Sequence, residues 1–218
     1  MEEVAILDLG TRGYGETWEL QKRLVAQRLQ GDVPDTLILV EHPAVYTVGR
    51  RGGGEGIEDA ALPVFEVERG GEATYHGPGQ LVGYPIMALP RGKLGIKAFI
   101  SSLEEVLIRT VADLGIEGER GIHAGLWVGP RKLASIGVAI RHHVTYHGFA
   151  LNVNNDLEPF LHISPCGLDG STLTSVTEVL GRDVNVDVVK PSLLQHFGEV
   201  LDRNPIDAPG TTISLLPV

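Results

Sequence analysis

The chain has 218 residues, 43% of them hydrophobic and 21% charged, with a net charge of −10. That is enough apolar material for the core of one large domain, and the acidic balance disfavours generic binding to nucleic acid or anionic membranes. No apolar run approaches the ~20 residues of a membrane helix, Met1–Gly10 lacks a basic leader pattern, and a lone cysteine excludes an internal disulfide, so a cytoplasmic location is expected.

Val4 to Leu9 reads as a short apolar strand. Trp18, Leu24, Val25 and Leu29, spaced by Glu and Lys/Arg, predict an amphipathic helix. Thr36 to Val40 and Val45 to Val48 are strand-like runs broken at His42-Pro43, and Arg50 to Gly56 is a glycine-rich turn. Val64 to Val67 predicts a strand, and Gln80 to Leu89 another. Ile96, Phe99, Ile100, Leu103, Val106, Leu107, Val111 and Leu114 keep a 3.6 period, and Gly115 can cap that helix. Leu126 to Val128 and Lys132 to Ile140 predict strands about a Gly129-Pro130 turn, with Thr145 to Val153 a third. Short helices are expected at Thr174 to Leu180 and at Leu193 to Leu201 after Pro191, and the tail from about residue 204 should be irregular. Many strands with three or four separated helices predict a single α+β domain over 1–218, not a βαβ array.

Between the strands at 64–67 and 80–89 lies R-G-G-E-A-T-Y-H-G-P-G-Q, Arg69 to Gln80. Its Gly and Pro exclude a long regular element, yet Arg69, Thr74, Tyr75, His76 and Gln80 can all hydrogen-bond. Glycines admit a ligand close to the backbone and polar side chains orient it, so this loop is the first candidate site.

Cys166 sits in I-S-P-C-G-L. A lone cysteine is more often a small buried hydrophobe, but Pro165 and Gly167 mark a turn, which exposes a thiol. A nucleophilic thiol needs a cation or a base beside it. His162, four residues before it, and Lys132, in R-K-L-A-S-I-G, are the candidates. Lys132 opens a run of small and apolar residues that would carry it inward, where an ammonium favours a neighbouring thiolate. His143 and His147 are four apart in an extended segment, ~13 Å, too far for one metal ion. No metal site is expected, and neither phosphate-binding fingerprint occurs.

Arg69 to Gln80 with Tyr84, K-L-A-S-I-G, H-G-F-A-L-N, P-C-G and E-H-P-A-V-Y-T-V-G-R together resemble the blocks of lipoate-biosynthesis octanoyltransferases, in that family's order. The resemblance implies a mixed central sheet with flanking helices, similar to the catalytic domain of lipoate and biotin protein ligases. It implies an octanoyl group taken from the phosphopantetheine thioester of acyl carrier protein and passed to a lysine of a lipoyl domain, in 2-oxoacid dehydrogenase complexes and the glycine cleavage system. Cys166 would be the acyl-thioester nucleophile and Lys132 its partner. Arg69, Gly70, Gly71, Glu72, Ala73, Thr74, Tyr75 and His76, with Ser135, Ile136, Gly137, Gly148, Phe149 and Ala150, would line the acyl pocket. No cofactor of its own is implied, and a monomer is the default. Other readings are an ATP-dependent lipoate or biotin protein ligase, a non-catalytic acyl-carrier module, and a cysteine hydrolase with His162 or His76 as base. Arg50-Arg51, Arg91, Lys93, Lys97, Arg131-Lys132 and Arg141 would form a docking patch for an acidic carrier if the fold gathers them.

Overall fold

A computed structural model of the chain describes residues 2–54, 57, 61–90, 93–163 and 170–208. The expectations for Gly56, Arg91, the Ser164–Gly167 block with Cys166, and the tail beyond residue 208 lie outside these described residues.

In chain order the strands are β1 (Glu2–Thr11), β2 (Asp35–Glu41), β3 (Val45–Val48), β4 (Val64–Glu66), β5 (Ala73–His76), β6 (Gln80–Ile86), β7 (Gly125–Val128), β8 (Arg131–Arg141), β9 (Val144–Asn152) and β10 (Arg203–Asp207). The helices are α1 (Tyr14–Gln30), α2 (Lys93–Ala112), α3 (Val176–Leu180) and α4 (Val186–Leu201). Seven strands form a central sheet in the order β10-β1-β2-β6-β9-β8-β7, and β4-β3-β5 form a smaller one. β1 runs parallel to both its neighbours while the rest of the large sheet is antiparallel. The sheet is therefore mixed, with helices on both faces, as expected.

Period-two alternation assigns the faces. Leu37 and Leu39 of β2 pack with Leu103, Leu107, Leu193 and Phe197 of α2 and α4. Ile38 and Val40 point the other way, into a second cluster with Leu20, Leu24 and Val25 of α1. Because both faces are covered, β2, β6 and β9 are buried almost throughout. A third cluster joins Tyr46, Ala73 and Tyr75 of the small sheet to Phe160, Ile163 and Leu173.

Two expectations need correction. The segment from Arg203 is no irregular tail: β10 pairs in parallel with β1. Pro205 is tolerated there because β10 is an edge strand. The last helix also starts earlier, at Val186, where Asn185 caps it by accepting the Asp187 N–H at 2.8 Å. Pro191 lies inside that helix, not before it.

Candidate active site

The Arg69 loop is pinned to both sheets. Arg69 is 8% exposed, and its guanidinium donates to the Thr47 carbonyl at 2.8 Å, to the Thr47 hydroxyl at 2.9 Å and to the Gly70 carbonyl at 3.1 Å. The Arg50 and Arg51 N–H groups donate to the carbonyls of Arg69 and Gly71, and Gly70 N–H reaches Val138 O on β8 at 3.0 Å. The loop thus closes over the α1 face of the large sheet as a rigid roof.

Under it lies a narrow, partly open cavity. Its walls come from the loop (Arg69 to Glu72), from β5 (Ala73, Thr74, His76), from β8 (Ser135, Ile136, Gly137) and from β9 (Gly148, Phe149, Ala150). Every predicted pocket residue except Tyr75 is therefore brought to one space. The pleat explains the exception: Tyr75 alternates with Thr74 and His76 and packs in the third cluster, its ring edge-on to Phe160 at 5.4 Å. Gly148 sits directly opposite Gly137 in the β8–β9 register. A Cβ on Gly148 would run into the Gly83 carbonyl and Pro85, and one on Gly137 would lie 2.9 Å from the Gly70 carbonyl. Bare backbone at Gly137 is what lets the roof approach the floor, and at Gly148 it lets β9 lie close against β6.

Tyr14 and Val82 also line the cavity without having been predicted, as do Tyr84 and His147, which sequence reading placed only within motifs. Tyr14 enters from the first turn of α1, far from the motifs in sequence. A hydrogen-bonded aromatic wall results. Arg12 O lies 2.7 Å from Nδ1 of His42, and since a carbonyl only accepts, Nδ1 carries the proton. The Tyr84 hydroxyl then donates to Nε2 at 2.9 Å. Gln80 spends its NH₂ on Tyr75 O and Asn152 Oδ1, so its Oε1 accepts from Nδ1 of His76 at 2.7 Å. Burial lowers His42 to about 4 and His76 to about 3, and lowers His147 to about 4 with the Arg69 charge acting in the same sense. All three rings are neutral at pH 7.

Lys132 does not line the cavity but stands just beyond its Ser135 end, 2% exposed. It pairs with Trp127 of β7, and its Nζ lies 5.7 Å from that ring, within cation–π range. Its carbonyl accepts the Thr174 N–H at 3.0 Å, and Leu173 bridges it in parallel. The chain therefore returns to Lys132 only seven residues after Cys166. His162, the other candidate partner of the thiol, is exposed at the end of a 3-10 turn, Glu158–His162. His143 lies in the β8–β9 turn, apart from His147 in β9. Among the described residues no three metal-ligating side chains come together, and no helix is long and apolar enough to cross a membrane.

Residues 13–198 match the family described as the lipoyl protein ligase A/B catalytic domain. An octanoyltransferase of Syntrophobacter fumaroxidans is 43% identical over 212 residues, covering 94% of this chain and 93% of that protein. One of Syntrophotalea carbinolica is 46% identical over 197 residues, covering 90% and 93%. Among solved structures, the bipartite lipoate protein ligase of Thermoplasma acidophilum superposes with a TM-score of 0.80 at 19% identity, over 99% of this chain and 91% of that one. The biotin protein ligase of Aquifex aeolicus follows at 0.54 and 12%, over 93% and 69%.

Proposed function

Since the chain belongs to the octanoyltransferases of the lipoyl protein ligase A/B catalytic-domain family, and so is an acyltransferase, we propose that it carries an octanoyl group from acyl carrier protein to a lysine of a lipoyl domain as a thioester on Cys166. The observation that supports this most directly is the narrow cavity that reaches Ser135 on β8, three residues from the buried Lys132, to which the chain after Cys166 returns at Leu173.

In the first step the Cys166 thiolate adds to the thioester carbonyl and expels the phosphopantetheine thiolate, which takes up a proton. Lys132 as an ammonium favours the attacking thiolate. In the second step the acceptor lysine amine attacks the acyl-enzyme, the amide forms and the Cys166 thiolate leaves. Lys132 in its amine form takes the proton that the new amide nitrogen must lose. Thioester exchange is close to neutral in free energy and amide formation runs downhill, so neither step needs ATP. The acyl chain lies along β8 and β9 over Ile136, Phe149, Ala150 and Val82, with the neutral His76 and Tyr84 of the wall, and His42 bonded to Tyr84, adding no charge that would have to be desolvated.

The test is the intact mass of the protein after incubation with octanoyl-acyl carrier protein, without ATP or acceptor. An octanoyl adduct is expected, lost when a lipoyl domain is added, absent in Cys166→Ala and slow to form in Lys132→Met. No adduct, with transfer appearing only on addition of free octanoate and ATP, would instead establish a ligase.

A further inference from the structure

His147 departs from what a central strand ordinarily holds. Its φ is +55°, in the left-handed region that residues with a Cβ rarely occupy, and rarer still inside a strand. Such conformations persist where the surroundings over-determine them, and they collect at functional sites. Here the buried Gln21 of α1 holds the backbone, its Oε1 accepting the His147 N–H at 2.7 Å. The side chain is 1% exposed and lines the cavity. Neither ring nitrogen has a hydrogen-bond partner among the described residues, and Glu68 Oε2, at 3.6 Å, is out of reach.

The strand register gives the position. Ser135 faces Ala150 at the end of the cavity nearer Lys132, and Val138 faces His147 three residues further on. At ~3.4 Å per residue that is a run of ~10 Å. An extended eight-carbon acyl chain spans on the order of 9 Å, seven carbon–carbon bonds of ~1.5 Å in zigzag.

We propose that His147 forms the far wall of the acyl pocket and sets its length limit, an inference that rests on the octanoyl-transfer reading above. An apolar tunnel alone counts methylenes weakly, whereas a site that leaves buried polar groups unpaired with the wrong substrate discriminates steeply. A chain that stops at eight carbons leaves the imidazole nitrogens room for water. Each further methylene would press against the ring and shut water from two polar atoms that make no hydrogen bond to the described residues and have only the Glu68 carboxylate, at 3.6 Å, nearby, so desolvation adds to steric cost. Protonation offers little relief near neutral pH, because burial and the nearby Arg69 lower the ring to about 4 against the opposing effect of Glu68.

The experiment compares kcat/KM for acyl carrier thioesters of six to twelve carbons in the wild type, His147→Gly and His147→Asn. Glycine and asparagine both accept positive φ, so either variant can keep the strand. The ratio of ten-carbon to eight-carbon kcat/KM is expected to rise at least ~10-fold in His147→Gly, where wall and polar atoms are both gone. Asn, shorter but still polar, should restore part of the selectivity. An unchanged ratio in both variants, with wild-type thermal unfolding, overturns the role of His147. A wild type that transfers no acyl chain of any length would overturn the octanoyl reading itself, and this inference with it.

Discussion

His42, His76 and His147 each hold a neutral imidazole in the core, and this sets a pH window for the fold. Burial is the chief cause in all three, lowering them from 6.5 to about 4, 3 and 4 respectively. Well above pH 6.5 neither folded nor unfolded chain protonates these rings, so their full contribution to stability is present. As pH falls below 6.5 the unfolded chain takes up protons that the folded one refuses. Stability is then lost at ~1.4 kcal/mol per pH unit per histidine until the folded values are passed. The carboxylates that the fold holds below their ordinary range, such as Glu105 and Asp113, act only at lower pH. Urea unfolding between pH 6.5 and 5 therefore isolates the histidines. We expect a steep fall there, reduced by about a third in His76→Gln, and a flat response in the wild type would contradict the neutral wall. The motif carrying His76 was plain in the sequence because glycines and hydrogen-bonding side chains crowd together there. The part played by His147 was not, since no residue type near it announces a positive φ or a partnerless ring. Tyr14 was hidden for another reason: only tertiary packing brings α1 to the Arg69 loop.

The β8–β9 hairpin shows what an element tolerates when its strands are well paired. Its two central residues, His142 and His143, have φ of 47° and 73°, the signs that a two-residue type I′ turn requires. Asn-Gly suits that turn best, and both residues are exposed, with the His143 carbonyl accepting the Leu89 N–H at 2.8 Å. Replacing the pair by Asn-Gly keeps that carbonyl and removes backbone strain. A gain of about 1 kcal/mol is expected, read as ~2–4 °C in Tm for a domain of this size. A Tm that does not rise would mean that the two rings pack better than their exposure suggests. Elements whose own residues state their period, such as β2, α2 and β9, were legible in advance to within a residue or three. β10 was not, because Asn204 and Pro205 carry no strand signal and the strand exists only through pairing with β1, some two hundred residues away. The start of α4 was misplaced because Pro191 reads as a boundary, whereas the Asn185 cap and the burial of Val186 and Val189 carry the helix through it.

At the scale of the whole molecule, if the octanoyl donor is an acidic carrier as proposed, an acidic chain needs positive charge in the right place to receive it. The sequence offered a cluster in the middle of the chain, between Arg50 and Arg141, but β8 divides it. Arg131 and Arg141 stand at opposite ends of that strand, ~33 Å apart at ~3.3 Å per residue. Arg50 and Arg141 share the hairpin end, where both charges act on Tyr146. Arg131 is at the other end, beside Lys132, exposed and held to Glu178 at 3.4 Å. That ion pair lies at the surface and contributes little to stability, so Arg131 can turn to a partner at small cost. If the thioester enters next to Lys132, docking charge belongs at the Arg131 end, and Arg50 and Arg141 are bystanders on the His147 side. Charges at an interface rim act mainly on association rate and its salt dependence. Arg131→Glu should therefore raise KM for the acyl carrier ~3–10-fold at low salt and flatten its rise with ionic strength. Arg141→Glu, an identical change in net charge, should leave both within about two-fold. Equal effects from the two variants would mean that the carrier senses only the overall charge of −10. A larger effect at Arg141 would place the donor at the hairpin end and reverse the direction in which the acyl chain enters the cavity.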